Sequence, residues 1–286
     1  MISPLTEEQE KQLQKKIVWL FGFPRSGTTW IATQLLSYQT RSINELNISS
    51  HLGIHNIVKG QITRNIESRK DFSDYFFSEK YKEVWIYFLR KLILNRIYAQ
   101  IQDISQNIII KEPSAFFAGD ILSHCMPESK ILILIRDGRD VIDSLVDAKQ
   151  KEGFMTKSGS NPIEKKRLLR FISDQSNLWV NVMKNLMKTY KNHSEKLRML
   201  IRYEDLRNNT LEELEKIYKF LEIEIDKKTL EKIVEKYSFE NIPSGLKGKG
   251  KFARSASPGK WKENFNEKEQ ETINEIMKET LKKLEY

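Results

Sequence analysis

Arg25 stands inside a turn bounded by two glycines and followed by hydroxyls: Gly22-Phe23-Pro24-Arg25-Ser26-Gly27-Thr28-Thr29-Trp30. Such a turn offers backbone N–H groups, hydroxyls and one fixed cation to a single point, which suits a phosphate or another oxyanion. The spacing Gly22-x-x-x-x-Gly27 is that of a phosphate loop. The lysine such a loop carries after its second glycine is absent, because Thr28 occupies that place. The loop therefore reads as an oxyanion site unlike an ordinary ATP or GTP site. Further cations are Lys111, in Lys111-Glu112-Pro113, and Arg136. Arg254 adds another, in Arg254-Ser255-Ala256-Ser257-Pro258-Gly259-Lys260-Trp261-Lys262. An arginine that closes a five-residue apolar run, as Arg136 does, needs a reason to be there.

These residues need elements to hold them. Ile17-Val18-Trp19-Leu20-Phe21, Asn107-Ile108-Ile109-Ile110-Lys111, Ile131-Leu132-Ile133-Leu134-Ile135 and 197–202 read as strands. The third is apolar on both faces, as a parallel sheet covered by helices requires. Helices are expected over 5–16, 28–37, 71–102, from the N-cap Ser114 through Cys125, and from an opening at Arg136-Asp137-Gly138-Arg139-Asp140 through Ala148. Further helices are expected over 162–190, 210–221, 227–237 and 267–284. Residues 40–70 show no clear period and read as loop-rich. Residues 150–160 read as a mobile loop, and 245–258, rich in Gly, Ser, Lys and Arg, as a flexible basic lid. Alternating strands and helices predict an α/β doubly wound parallel sheet with helices on both faces. Ligands of such sheets bind beyond the carboxyl ends of the strands. Arg25, Lys111, Arg136 and Tyr203 each follow a strand, so all four are expected at that edge.

Composition bounds the possibilities. The 286 residues suit a single domain spanning the whole chain, with no internal repeats. A hydrophobic share of 39% and a charged share of 30% describe a globular protein rather than a disordered one. The net charge of +9 fits nucleic acid or a polyanionic nucleotide equally well. The lone Cys125 can form no internal disulfide, so a reducing compartment is expected. Residues 1–16 lack the apolar core of a signal peptide, and no apolar run approaches ~20 residues, the length of a membrane span. A cytoplasmic enzyme is the expectation, with no membrane partner.

Pro24-Arg25-Ser26-Gly27-Thr28-Thr29-Trp30 resembles the 5′-phosphosulfate loop of sulfotransferases that use 3′-phosphoadenosine 5′-phosphosulfate (PAPS) and release 3′-phosphoadenosine 5′-phosphate (PAP). The resemblance runs from about 17 to 265 and implies the P-loop-like sulfotransferase fold. It makes Arg25 the cation at the leaving group, with Ser26, Gly27, Thr28 and Thr29 on the 5′-phosphate and Trp30 stacked on adenine. Arg136 and Ser144, eight residues apart, match the family's 3′-phosphate motif. Arg254 matches the arginine that grips the same phosphate. Ser255 and Ala256 replace the lysine and glycine that follow it in the cytosolic branch, and Lys249 or Lys251 are candidates to compensate. Tyr203 and Phe239, in Tyr237-Ser238-Phe239, match positions that line the adenine pocket.

Sulfuryl transfer needs cations at the departing oxygen, a base for the acceptor's proton, and in-line placement of the acceptor. No metal is required where side chains supply the charge. The histidine that cytosolic members place two residues after the strand-end lysine is missing, since Glu112 and Pro113 follow Lys111. Tyrosylprotein and heparan-type members place a glutamate about eighteen residues beyond the loop glycine, and Glu45 stands there. Glu45 is therefore the first candidate base, Glu112 the second and His51 the third, with Lys111 as a second cation beside the sulfuryl group. Residues 40–106 and 150–160 are expected to shape the acceptor pocket, and 245–262 the basic lid. The acceptor is expected to be a small molecule, with peptide tyrosine or a saccharide as alternatives. The family's dimer signature is degraded at Lys262-x-x-x-Asn266-Glu267-x-x-x-Glu271, which leaves a monomer or a weak dimer.

Two other readings make distinct predictions. A P-loop kinase or hydrolase predicts a lysine at 28 and an aspartate closing an apolar strand, where this chain has Thr28 and Arg136. A nucleic-acid-binding protein rests only on charge and on 245–262, and no recognisable nucleic-acid-binding motif accompanies it.

Overall fold

The computed structural model describes residues 4–53, 77–112 and 118–286. Five strands form one parallel sheet: β1 (Ile17–Gly22), β2 (Thr40–Asn44), β3 (Asn107–Lys111), β4 (Lys130–Ile135) and β5 (Arg198–Arg202). Their order is β2-β3-β1-β4-β5. Every residue of β1, β3 and β4 is buried, which is why these strands are apolar on both faces. β1 pairs with β3 from Ile17↔Ile108 to Leu20↔Lys111, and β2 with β3 from Thr40↔Asn107 to Asn44↔Lys111. The architecture is the α/β parallel sheet that the alternation predicts, and it agrees with the P-loop-like fold that the resemblance implies.

The chain divides into two compact units. One holds Met1–Phe21, Leu36–Ile133 and Asn185–Leu200, and the other Gly22–Leu35, Leu134–Lys184 and Ile201–Tyr286. The core of the first is built on Leu13, Ile17–Phe21, Ile108–Ile110, Leu122 and Leu132. Its leading helix, Glu7–Lys16, starts at a capping box in which Thr6 Oγ1 accepts from Gln9 N–H and Gln9 Oε1 accepts from Thr6 N–H. The core of the second gathers Ile31, Leu35, Ile142, Trp179, Ile217, Tyr218, Ile273 and Met277. Truncating any of these aliphatic side chains to alanine costs about 2–5 kcal/mol.

Several expectations need correction. β2 lies in a segment that reads as loop. Only Ile43 in it is buried, so its strand character comes from pairing with β3 and leaves no apolar pattern. The helix expected over 28–37 is a three-residue α turn, Thr28–Trp30, running into a π turn at Ile31–Leu35. Tyr218 Oη fastens that π turn by donating to the Leu35 carbonyl at 2.9 Å inside the core. The loop at 150–160 contains a short helix, Phe154–Lys157, and a helix not foreseen, Tyr203–Asn208, follows β5. The long helix runs Leu168–Asn192. Lys82–Ile101 and Gly119–Cys125 are helices, but the expected residues 71–76 and the proposed N-cap Ser114 lie outside the described residues.

Candidate functional site

The loop after β1 is shaped by its glycines. Gly27 has φ +103°, and a Cβ there would meet the Tyr203 ring at 2.8 Å. Gly22 has no room either, since a Cβ would lie 2.8 Å from Thr28 Cγ2 and 2.9 Å from the Leu134 carbonyl oxygen. Between them Arg25 adopts φ +74°, a left-handed conformation uncommon for a residue with a side chain. Ser26 is buried and its hydroxyl donates to the Phe23 carbonyl at 2.7 Å, so it holds the loop's own shape. Thr28 is buried and opens the short α turn; Thr29 O accepts from Thr33 Oγ1 at 2.7 Å. With so short a helix behind the loop, positive potential here comes from side chains rather than from a long helix dipole.

Three arginines supply it. Arg25 Nε donates to Ser144 Oγ at 3.1 Å, and its Nη2 to the Phe252 carbonyl at 2.7 Å. Its guanidinium lies 4.8 Å from the Phe154 ring centroid and 4.9 Å from that of Phe252. Arg136 Nη1 donates to the Arg25 carbonyl at 2.9 Å, and its guanidinium covers the Tyr203 ring at 4.3 Å. Its Nε is buried and has no hydrogen-bond partner among the described residues. Arg254 pairs with Asp143, which is buried on the helix Gly138–Ala148. Burial, reinforced by the charges of Arg136 and Arg254, pulls the Arg25 guanidinium down to about 10. Burial also works against the charge of Arg254, but the hydrogen bond and charge of Asp143 outweigh it and the net shift is upward.

The aromatic candidates sit beside this loop. Trp30 Nε1 donates to the Tyr237 carbonyl at 3.0 Å, and its ring meets Tyr203 edge-on at 6.2 Å. A cavity of about 560 Å³ opens there, with Trp30, Arg207, Asn208, Thr210, Ser238 and Glu240 in its wall. Phe239 is half-buried, with Lys247 Nζ 5.2 Å from its ring. The basic segment is hydrogen-bonded both within itself and to the helix Gly138–Ala148. Gly248 N–H donates to the Ala253 carbonyl at 2.9 Å and Gly250 N–H to Asp147 Oδ2 at 2.9 Å. Phe252, whose carbonyl and ring both engage Arg25, is a neighbour of the loop that sequence reasoning missed. An exposed phenylalanine between basic residues gives no periodic signal.

In the other unit, Glu45 and Lys111 meet. Lys111 Nζ donates to Glu45 Oε1 at 2.7 Å, and Glu45 N–H to the Lys111 carbonyl at 2.8 Å. The Lys111 side chain is 8% exposed and that of Glu45 52%, so the carboxylate is the end that solvent reaches. Glu45 has φ +55°, set by the sharp exit from β2. Glu112 is 1% exposed and its Oε2 accepts from Ile48 N–H at 3.4 Å. His51 is exposed in the last turn of the four-residue helix Ile48–His51. Among the described residues no group of three or more His, Cys, Asp or Glu is placed to hold a metal ion, and no helix is long and apolar enough to cross a membrane.

A family model described as the sulfotransferase domain matches residues 15–285. Among solved structures, a mouse sulfotransferase complexed with PAP is 14% identical at a TM-score of 0.59, with 97% of this chain and 90% of that chain covered. A retinol dehydratase in complex with androsterone and inactive cofactor PAP is 15% identical at a TM-score of 0.55, with 94% and 81% covered. A sulfotransferase domain from the curacin biosynthetic pathway is 16% identical at a TM-score of 0.50, with 94% and 97% covered. At such identities the likeness is one of fold.

Proposed function

The chain belongs to the sulfotransferase family, and we propose that it moves a sulfuryl group from PAPS to a hydroxyl or nitrogen of a small-molecule acceptor. The observation that carries this reading is the gathering of Arg25, Arg136 and Arg254 around a glycine-bounded loop, with Arg136 Nη1 on the Arg25 carbonyl at 2.9 Å and the Arg25 guanidinium lowered first by burial and then by its two neighbours. Like charges held together in a buried place ask for a polyanion. The nucleotide's two phosphates would meet that demand. Arg25 and the loop of Ser26, Gly27, Thr28 and Thr29 take the 5′ end, and Arg136, Ser144 and Arg254 the 3′-phosphate. Trp30, Tyr203 and Phe239 border the adenine, and the cavity with Trp30 in its wall supports the placement of Trp30.

In the transfer, the bond between sulfur and the nucleotide's bridging oxygen breaks as a bond forms from the acceptor's oxygen or nitrogen to sulfur. Arg25 stabilises the charge left on the bridging oxygen, and Lys111 the sulfuryl oxygens. Glu45 takes the acceptor's proton. Its half-exposed carboxylate supports that role over Glu112, which is 1% exposed. The buried, single Cys125 supports a cytoplasmic setting.

The test is to incubate the protein with PAPS, EDTA and a metabolite library, and to read the products by mass spectrometry. A gain of one SO₃ on a small molecule, undiminished by EDTA, is the expected result. Activity only with ATP and Mg²⁺ would replace the reading with a kinase.

A further inference from the structure

The helix Gly138–Ala148 carries three buried carboxylates on one side, Asp140, Asp143 and Asp147. The basic segment is laid along them. Gly250 N–H donates to Asp147 Oδ2 at 2.9 Å. Gly259 N–H donates to Asp140 Oδ2 at 2.7 Å and Trp261 N–H to Asp140 Oδ1 at 3.3 Å. Asp143 differs from the other two, because its main partner is a charge. Arg254 Nη2 donates to Asp143 Oδ2 and Arg254 Nη1 to the Asp143 carbonyl at 3.4 Å. Its second partner is neutral, Asn264 Nδ2 at 3.0 Å. The Asp143 side chain is 4% exposed and that of Arg254 11%, so water screens the pair little.

We propose that Asp143 is an internal counter-anion, which occupies Arg254 in the empty enzyme and which the nucleotide's phosphate must displace. The proposal rests on the reading of Arg254 as a phosphate ligand. Two of the Arg254 nitrogens are engaged by Asp143, and a phosphate arriving at the same guanidinium meets a fixed negative charge behind it. When Arg254 turns to the phosphate, Asp143 keeps Asn264 as its side-chain donor among the described residues, and a buried carboxylate so poorly compensated is costly. That cost subtracts from nucleotide affinity. Without nucleotide the balance reverses. Arg25, Arg136 and Arg254 then repel one another, and Asp143 is the anion in direct contact with one of them. Asp143 thus stabilises the empty protein and opposes the filled one. Arg25 is treated the same way by a neutral group, the Phe252 carbonyl at 2.7 Å. The device would keep a doubly phosphorylated product from being held too tightly after transfer.

The experiment is calorimetric titration of PAP into the full chain as wild type, Asp143→Asn, Arg254→Ala and the double variant, with Tm recorded for each. Asp143→Asn is expected to bind PAP about tenfold tighter, the scale of one charge-assisted hydrogen bond no longer broken. Its Tm is expected to fall, its KM for PAPS to fall, and its affinity for adenosine 5′-phosphate to stay unchanged. The gain is expected to vanish in the Arg254→Ala background. Asp143→Ser, which removes the carboxylate with a smaller side chain, is expected to give the same signs. If Asp143→Asn binds PAP no better than wild type while Arg254→Ala binds it worse, the proposal is overturned and Asp143 merely holds Arg254 in place. If Arg254→Ala binds PAP like wild type, the assignment of Arg254 itself fails, and the proposal with it.

Discussion

Three arginines crowd around the loop after β1, whereas Glu45 and Lys111 form a single pair of opposite sign in the other unit. In the first group, Arg25 donates to Ser144 Oγ and to the Phe252 carbonyl, and Arg254 pairs with Asp143. The second neutralises itself at 2.7 Å and leaves a carboxylate half in solvent. On the proposed reading, the first arrangement receives the nucleotide's charge and the second exchanges the acceptor's proton. Binding and proton transfer should therefore respond separately to substitution.

The largest expected effect is on the cation side. Arg25→Ala should lower kcat/KM for PAPS by ~10³–10⁵, the range for a cation that meets charge developing in a transferring group. A loss below tenfold would make Arg25 a bystander. Next, Glu45→Gln should cut turnover by ~10²–10⁴ while PAP affinity by titration calorimetry stays nearly constant. Unchanged turnover would move the proton to Glu112 and blur the contrast between the two regions. Gly27→Ala should destabilise by about 1–3 kcal/mol, because the residue sits at φ +103° against the Tyr203 ring, and should weaken PAP binding with it. A thermal melt at wild-type temperature would show that the loop tolerates a side chain.

The smallest effect tests how far the support of the cradle extends. Tyr286 Oη donates to Glu204 Oε2 at 2.8 Å, and Glu204 Oε1 accepts from Asp137 N–H at 3.0 Å, next to Arg136. Tyr286→Phe should cost about 1 kcal/mol of stability, the worth of one hydrogen bond, with a minor loss of PAP affinity. No change in Tm by differential scanning calorimetry would remove Tyr286 from the account.

The difference between the regions also explains what could be read in advance. Gly22, Arg25, Gly27, Arg136 and Tyr203 are legible because local chain geometry forces them: a tight turn, a strand end, a close approach of backbone to ring. The strands β1, β3 and β4 are legible because burial on both faces demands unbroken apolar runs. β2 is not, since an edge strand with one buried side chain carries no pattern. The Arg254–Asp143 pair is not either, because it joins residues 111 positions apart and nothing local distinguishes Asp143 from a solvated helix carboxylate. The mooring of the basic segment is invisible for the same reason. Its fasteners are backbone N–H groups reaching buried acids on a distant helix.

Titration of PAP into the wild-type chain and into the Arg25→Glu, Arg136→Glu double variant tests the central claim most directly. The account predicts tight, magnesium-independent binding to the first and none to the second. Absence of binding to the wild type, or binding that survives both charge reversals, would contradict it.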